Sequence, residues 1–205
     1  MKNRKDLKLK WIGLTGGIAT GKSAAKKLIE GLGCAVIDAD QIARRVVAPD
    51  HVGFQKVVSY FGASVVSPDG SLNRSALADL IFKSEDLKLK LESILHPLIQ
   101  IEVQKIKSQY VEMGKKICFY DIPLLFEKKL QDQFDATILI WCDLETQKAR
   151  LKARNNLSDQ EVTDRLNSQM PMTDKLPLAT YCLDNSTTIH SLDLQIKALV
   201  PKLIN

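Results

Sequence analysis

One eight-residue segment constrains the fold of this chain more than any other part of it. Residues 16–23 read Gly-Gly-Ile-Ala-Thr-Gly-Lys-Ser and fit the phosphate-loop pattern GxxxxGK[ST] at every fixed position. The segment follows an apolar run at 11–15 and precedes a helical pattern at 23–32. A glycine-rich turn with an exposed lysine is the alternative, but the flanking patterns favour the strand, tight loop and helix in which this motif binds phosphate.

The residue types in this loop suit a nucleoside triphosphate and its metal ion. Glycines let backbone N–H groups point inward, and the start of the following helix adds partial positive charge. Lys22 supplies a full charge at the γ end, and the Ser23 hydroxyl is the expected Mg²⁺ ligand. We therefore predict ATP and Mg²⁺ as cofactors. The predicted nucleotide-binding residues are Gly17, Ile18, Ala19, Thr20, Gly21, Lys22, Ser23 and Ala24.

Four further short apolar runs, at 35–37, 117–120, 136–141 and 181–183, alternate with helical patterns. Strands that alternate with helices predict a five-stranded parallel sheet flanked by helices, the α/β arrangement of the P-loop NTPase fold. Ligands bind at the carboxyl ends of such strands. Acidic residues follow all four of these runs, namely Asp38 and Asp40, Asp121, Asp143 and Asp184.

The chain divides into segments of different character. Residues 1–10 are rich in lysine and arginine and are expected to be a flexible basic start, while 11–51 and 116–205 form the nucleotide-binding core. Residues 52–115 contain several helix-period stretches and no convincing buried strand, which predicts a helical insertion. Within the core, 146–175 is predicted to be a lid region.

Composition narrows the partners. A chain of 205 residues with 45% hydrophobic residues is typical of one globular domain, and its net charge of +5 suits an anionic partner without identifying one. Four widely separated cysteines are expected to be buried free thiols, which indicates a reducing compartment. Because no apolar stretch reaches membrane-spanning length, we expect a cytoplasmic protein, a monomer or small homo-oligomer, that contacts neither membrane nor nucleic acid.

The remaining residues favour a kinase over a GTPase switch or a motor. No guanine-reading NKxD motif occurs late in the chain, and Asp121 is followed by Ile122-Pro123, without the glutamate that activates water in motor ATPases. Asp121 can still hold Mg²⁺, with a strand-end cap as the alternative. Asp38 and Asp40, two apart at a strand end, are expected to project the same way toward the phosphates and to supply a general base. A helix cap is their alternative.

Arginines in the predicted lid support the same interpretation. Arg150, Arg154 and Arg165 lie in a helical pattern that is interrupted at 155–156. A lid that carries arginines can exclude water and offset the charge that develops during phosphoryl transfer. The alternative for each arginine is a solvated helix face.

An ordered series of motifs extends over most of the chain. The motifs are 14–18 with Gly21-Lys22-Ser23, 36–40 with Ala43-Arg44, Phe61-Gly62, Asp69-Gly70 with Leu72, Arg74 and Leu77, His96-Pro97, 121–127, Arg154, Arg165, Gln169 and Asp184-Asn185. Taken together, these residues resemble the dephospho-coenzyme A kinase family. Ala19-Thr20 departs from the Gly-Ser that is common in the family.

The resemblance implies an enzyme that phosphorylates the ribose 3′-hydroxyl of dephospho-coenzyme A with ATP, and it makes the insertion the coenzyme A domain. Asp40 would be the base that accepts the hydroxyl proton, and Lys22 and Arg154 would complete the catalytic set. Arg44, Arg74 and His96 would line the acceptor side. His96 by itself, before Pro97, would otherwise indicate the end of a helix. Glu127 has no assigned role beyond a possible one in organising its loop.

Two other functions stay open at this point. One is a P-loop kinase that acts on a nucleoside or another small metabolite. The other is a regulatory module that binds nucleotide and transfers nothing.

Overall fold

The computed structural model describes residues 9–204, and its framework is a sheet of five strands in the order β2-β3-β1-β4-β5. The strands are β1 (Lys10–Gly16), β2 (Ala35–Asp38), β3 (Ile117–Asp121), β4 (Ala136–Trp141) and β5 (Tyr181–Asp184). β1 pairs in parallel with both β3 and β4, and β4 pairs in parallel with β5. The five-stranded parallel sheet predicted from the apolar runs is confirmed.

Helices occupy most of the remaining chain. They are α1 (Lys22–Gly31), α2 (Ala39–Arg45), α3 (Val52–Phe61), α4 (Arg74–Phe82), α5 (Glu85–Glu112), α6 (Leu144–Asn155), α7 (Asp159–Asn167), α8 (Met172–Lys175) and α9 (Ile189–Ile204). Short 3₁₀ turns lie at Ala63–Val65, Gln131–Gln133 and Leu176–Leu178. Among residues 9–204, no helix has both the length and the apolar character needed to cross a membrane.

The main core lies between the sheet and two helices, α1 and α9. β1 is central, and its residues after Lys10 are all buried. Ile12 and Leu14 of this strand pack in one cluster with Ile29 of α1 and with Leu192 and Ile196 of α9. A run of consecutive buried residues is what a parallel strand covered on both faces requires. This core holds the end of β1, and therefore the start of the phosphate loop, in place.

A buried ion pair lies beside a second apolar cluster, which is formed by Leu125, Phe126 and Leu139. Lys175 of α8 has no solvent-exposed side-chain surface, and its Nζ lies 2.6 Å from Oε1 of Glu127 in the loop after β3. Within the described residues, neither Lys175 Nζ nor the Glu127 carboxylate has a hydrogen-bond partner besides this contact. The pair therefore joins the last helix of the predicted lid region to the loop after β3.

The chain separates into two compact units, one of which is Asp38–Gln109 and the other the described residues before and after it. The unit 38–109 is helical and buries Ile42, Val57 and Leu77. Its bounds differ from the predicted insertion at 52–115, because α2 belongs to this unit and the last residues of α5 do not. Its assignment as the coenzyme A domain, and that of 146–175 as a lid, stay predictions.

Helix α5 continues through Pro97, so the alternative that His96 marks a helix end is wrong. Proline in a helix interior removes one hydrogen bond and costs about 3 kcal/mol. Leu91 and Val103 are buried on either side of Pro97, and their packing holds the helix together. His96 is therefore an exposed residue in the middle of a 28-residue helix.

The basic start and the cysteines match their predictions only in part. Residues 1–8 of the predicted basic start lie outside the described residues, whereas Lys10 already belongs to β1 and its N–H donates to the Lys116 carbonyl at 2.9 Å. All four cysteines are free thiols. Cys118 and Cys142 are buried as expected, Cys34 is half-buried, and the expectation is wrong for Cys182, which is exposed on the edge strand β5.

Removing one member of the buried ion pair is expected to be strongly destabilising. Lys175→Met leaves the Glu127 carboxylate without its partner, and we expect the free energy of unfolding to fall by about 3–5 kcal/mol. The double variant Lys175→Met/Glu127→Leu removes both charges and should recover most of that loss. Urea denaturation of the three proteins measures both effects. Equal losses in the single and double variants would contradict the account.

A glycine in α3 gives a second test of the packing. A Cβ at Gly53 would lie 2.1 Å from the backbone oxygen of Val46, whereas one at Gly31 of α1 would meet no atom within 4 Å. Alanine favours helix over glycine at either position. We nevertheless expect Gly53→Ala to lower the free energy of unfolding by about 1–3 kcal/mol, because of overpacking. Gly31→Ala is the control and should be neutral or slightly stabilising in the same denaturation experiment.

Candidate active site

The phosphate loop, residues 16–23, connects β1 to α1, as the sequence predicts. Gly16 lies so close to its surroundings that a Cβ there would be 2.8 Å from the Ile140 carbonyl oxygen. Gly21 adopts a φ of 92°, and a Cβ would be 2.1 Å from Asn185 Nδ2. Ala19 also has a left-handed backbone, with φ of 60°, which is uncommon outside glycine. The loop is therefore a tight, partly strained turn of the kind found at functional sites.

Side chains from distant parts of the same unit hold this loop. The Ile18 N–H donates to Gln169 Oε1 at 2.9 Å, and Gln147 Nε2 donates to the Ile18 carbonyl at 2.6 Å. Asn185 Nδ2 donates to the Thr20 carbonyl at 2.8 Å. Gln169 and Asn185 belong to the motifs of the resemblance, but nothing in the sequence singled out Gln147. A polar residue in a charged helical segment is expected to be exposed to solvent, whereas Gln147 is buried.

Lys22 and Asp121 form an ion pair at the end of the loop. Their side chains are 17% and 5% exposed, so the contact is largely shielded from water. Asp121 is the last residue of β3 and lies in register with Leu14 of β1. The structure therefore brings together the two predicted site residues that carry opposite charges. Ser23, the other predicted metal ligand, is exposed in the first turn of α1.

Asp38 and Asp40 do not share an extended strand end, and this part of the prediction is wrong. β2 ends at Asp38, and α2 begins at the next residue. Asp38 is the N-cap of that helix, where its carboxylate accepts a hydrogen bond from the Gln41 N–H at 2.9 Å. The cap alternative therefore holds for Asp38. Asp40 lies in the first turn of α2 with an exposed side chain.

The other residues predicted on the acceptor side also belong to the helical unit, 38–109. Arg44 is exposed on α2, one helical turn after Asp40. Arg74 is the first residue of α4, directly after Asn73, whose side chain caps that helix. Arg74 and His96 are both exposed.

The predicted lid arginines lie on α6 and α7. Arg154 is exposed near the end of α6, and its Nε donates to the Asn155 side chain at 2.9 Å. The interruption in the helical pattern is real, because Asn156 takes a left-handed conformation and Ser158 starts α7 with a capping box. Arg165 is exposed, whereas the Arg150 Nη1 is buried and has no hydrogen-bond partner among the described residues.

A cavity of about 580 Å³ opens beside the phosphate loop. Its size is in the range of small-molecule sites, and its wall is mainly apolar. It is lined by Gly17, Trp141, Cys142, Asp143, Leu144, Gln147, Leu166, Asn167, Gln169, Met170, Pro171, Met172, Thr173 and Leu176. Burial raises the pKa of the Cys142 thiol, and Arg150 only partly offsets this. Hydrogen bonds from Thr146 lower the pKa of Asp143, which caps α6.

Comparison with known proteins agrees with this geometry. Residues 10–191 match the family described as dephospho-CoA kinase. The dephospho-CoA kinase of Listeria innocua is 38% identical over 196 residues, which are 96% of this chain and 98% of that protein. That of Bdellovibrio bacteriovorus is 43% identical over 87% of this chain and 88% of its own length. The crystal structure of Thermus thermophilus TT1252 has a TM-score of 0.82 and 32% identity, covering 95% of this chain and 98% of that one. The phosphate loop, the five-stranded sheet and these matches together establish that the chain belongs to the dephospho-CoA kinase family.

Proposed function

We propose that this protein transfers the γ-phosphoryl group of ATP to the ribose 3′-hydroxyl of dephospho-coenzyme A, giving coenzyme A and ADP. Its family phosphorylates dephospho-CoA with ATP to give CoA. The observation that carries the proposal is the phosphate loop, which lies between the central strand β1 and helix α1 with Lys22 against Asp121.

On the ATP side, residues 17–24 would hold the phosphates through backbone amides and the positive end of α1. Gly21 occupies the N-cap position, where no side chain accepts from the first amides of the helix. Lys22 would neutralise charge at the γ-phosphate. Its present contact with Asp121 shows that this region of the protein accommodates closely spaced opposite charges.

The residues at this end of the loop fit a magnesium ion. Ser23 offers a hydroxyl and Asp121 a carboxylate at the carboxyl end of β3, and oxygen ligands are those that Mg²⁺ prefers. We propose that these two residues hold it together with the phosphates. The ion would neutralise negative charge on the phosphate oxygens during transfer.

On the acceptor side, Asp40 would accept the proton of the attacking hydroxyl. Residues four apart on a helix share a face, so Arg44 would bind the acceptor beside Asp40. Arg74 and His96 would contact the same substrate, because both present exposed polar side chains from the helical unit. A base needs access to its substrate, and the exposure of Asp40 meets that requirement.

The lid region would supply charge and exclude water. Arg154 is exposed near the end of α6, close to the break between the helices, where a small rotation would redirect its guanidinium. We propose that it contacts the transferred phosphoryl group. The free cysteines support a reducing location, the cytoplasm. A monomer or small homo-oligomer would serve this reaction.

A coupled assay for ADP release tests the proposal. With ATP and Mg²⁺ we expect ADP formation that depends on dephospho-coenzyme A, together with a product heavier by one phosphate. Omitting Mg²⁺ should abolish turnover. ADP formation that instead requires a nucleoside or another small alcohol would assign a different kinase, and ATP binding without any phosphorylated product would support the regulatory alternative.

Two neighbouring carboxylates offer a matched test of the base. Asp40→Asn is expected to lower kcat by about 10²-fold or more while leaving ATP affinity nearly unchanged, because only the proton acceptor is lost. Asp38→Asn is the control, since asparagine caps a helix as well as aspartate does, and should keep kcat within about threefold of wild type. Isothermal titration with ATP and steady-state kinetics supply the measurements. Loss of binding of both substrates in Asp40→Asn would indicate a structural or metal role instead.

A further inference from the structure

We propose that Gln147 and Gln169 form an amide clamp on the backbone of Ile18, and that both are positioning residues for the transfer of phosphate from ATP. The clamp consists of these two side chains and the two peptide groups that flank the Ile18 Cα. The inference rests on the proposed role of residues 16–23 as the ATP-binding loop. The clamp gives a role to Gln147, which no sequence pattern indicated, and to Gln169, which belongs to the resemblance but had no role assigned.

The hydrogen bonds of the clamp have opposite polarity. Gln169 Oε1 accepts from the Ile18 N–H at 2.9 Å, and Gln147 Nε2 donates to the Ile18 carbonyl at 2.6 Å. The Ile18 N–H belongs to the planar peptide group that joins Gly17 to Ile18, and the Ile18 C=O belongs to the one that joins Ile18 to Ala19. Gln169 holds the first plane and Gln147 holds the second. Together they restrain both backbone dihedrals of Ile18, which neither could do alone.

Packing makes the clamp tight. Gln147 is only 4% exposed, so water cannot readily replace the Ile18 carbonyl as the hydrogen-bond partner of its amide. Breaking this hydrogen bond is therefore costly. A Cβ on Gly17 would lie 3.0 Å from Gln147 Nε2 and 2.8 Å from Met172 Sδ. The loop backbone therefore lies directly against the clamp and the wall of the cavity. A side chain at position 17 would therefore displace Met172 Sδ or press on the Gln147 amide.

The orientation of these two peptide groups matters for the residues that follow. Gln169 uses the Ile18 N–H, so the phosphate cradle depends on the amides after it. The first of these, the N–H of the left-handed Ala19, lies in the plane that Gln147 holds. Fixed peptide dipoles stabilise developing charge better than dipoles that must reorient. The clamp would provide that fixed arrangement before ATP arrives.

The elements that supply the clamp connect it to the predicted lid. Gln147 belongs to α6, which carries Arg150 and Arg154, and Gln169 follows α7, which carries Arg165. Gln147 is three residues before Arg150, and Gln169 is four residues after Arg165. The phosphate loop and the segments that carry these arginines are therefore positioned relative to each other by the same two hydrogen bonds.

Kinetics with methionine variants test the clamp. Methionine has a similar length but neither donates nor accepts as the amide does. Gln147→Met and Gln169→Met are each expected to lower kcat/KM for ATP by about 5- to 20-fold, the effect of one lost hydrogen bond that leaves a partly buried partner. The KM for dephospho-coenzyme A should change little, and the thermal midpoint should fall by only a few degrees. Gln160→Met, which alters an exposed glutamine of α7, is the control and should match wild type.

Hydrogen exchange separates positioning from general destabilisation. In isotope-labelled protein, we expect the Ile18 amide to exchange about tenfold faster in Gln169→Met than in wild type, because its acceptor is gone. Gln169→Glu keeps an acceptor oxygen and should preserve slow exchange at Ile18. This measurement requires no substrate.

The outcomes are distinct. Wild-type kcat/KM for ATP in both methionine variants, or Ile18 exchange that is the same in all three proteins, would overturn the clamp. A large fall in thermal midpoint with equal losses for both substrates would reduce the glutamines to structural residues and also overturn it. Absence of coenzyme A formation by wild type would refute the proposed function, and the exchange experiment would still report on the clamp.

Discussion

The close approach of neighbouring atoms to the backbone at residues 16–21 is the constraint on which the site depends. A loop that presents its amides to a ligand cannot use them to hold its own shape, so other groups must supply that restraint. Because Gly16 and Gly21 have no Cβ, atoms of Ile140 and Asn185 can lie where they would clash with one. Buried polar side chains from α6 and from the end of β5 then complete the restraint.

The charges follow from the same architecture. Parallel strands end at one edge of the sheet, and Asp121 at the end of β3 therefore lies beside the end of β1 and reaches Lys22. A buried charge without a partner is costly, so Lys22 and Asp121 depend on each other in these shielded positions. The Glu127–Lys175 pair obeys the same rule, six residues further along the loop that begins after Asp121. The loop after β3 is thus tied by ion pairs at its start and near its middle.

The sequence was sufficient for the features that depend on local pattern. Apolar runs placed all five strands, and the glycine spacing placed the phosphate loop. Predictions from local pattern failed where tertiary packing or a turn overrides the local preference. Asp38 ends its strand because a capping bond to Gln41 starts a helix, and Pro97 lies within a helix that its buried neighbours maintain. Gln147 could not be found from pattern, because one buried amide leaves no periodic signal.

The hydrogen bond between Asn185 and Thr20 has a consequence for biosynthesis. It joins residues 165 positions apart, and Asn185 lies only a few residues before the final helix. Residues 16–23 leave the ribosome well before Asn185, and this contact cannot form until position 185 has also emerged. The order of synthesis therefore leaves the nucleotide site without one of its restraints while the intervening residues are made, and a chain truncated before position 185 lacks that restraint altogether.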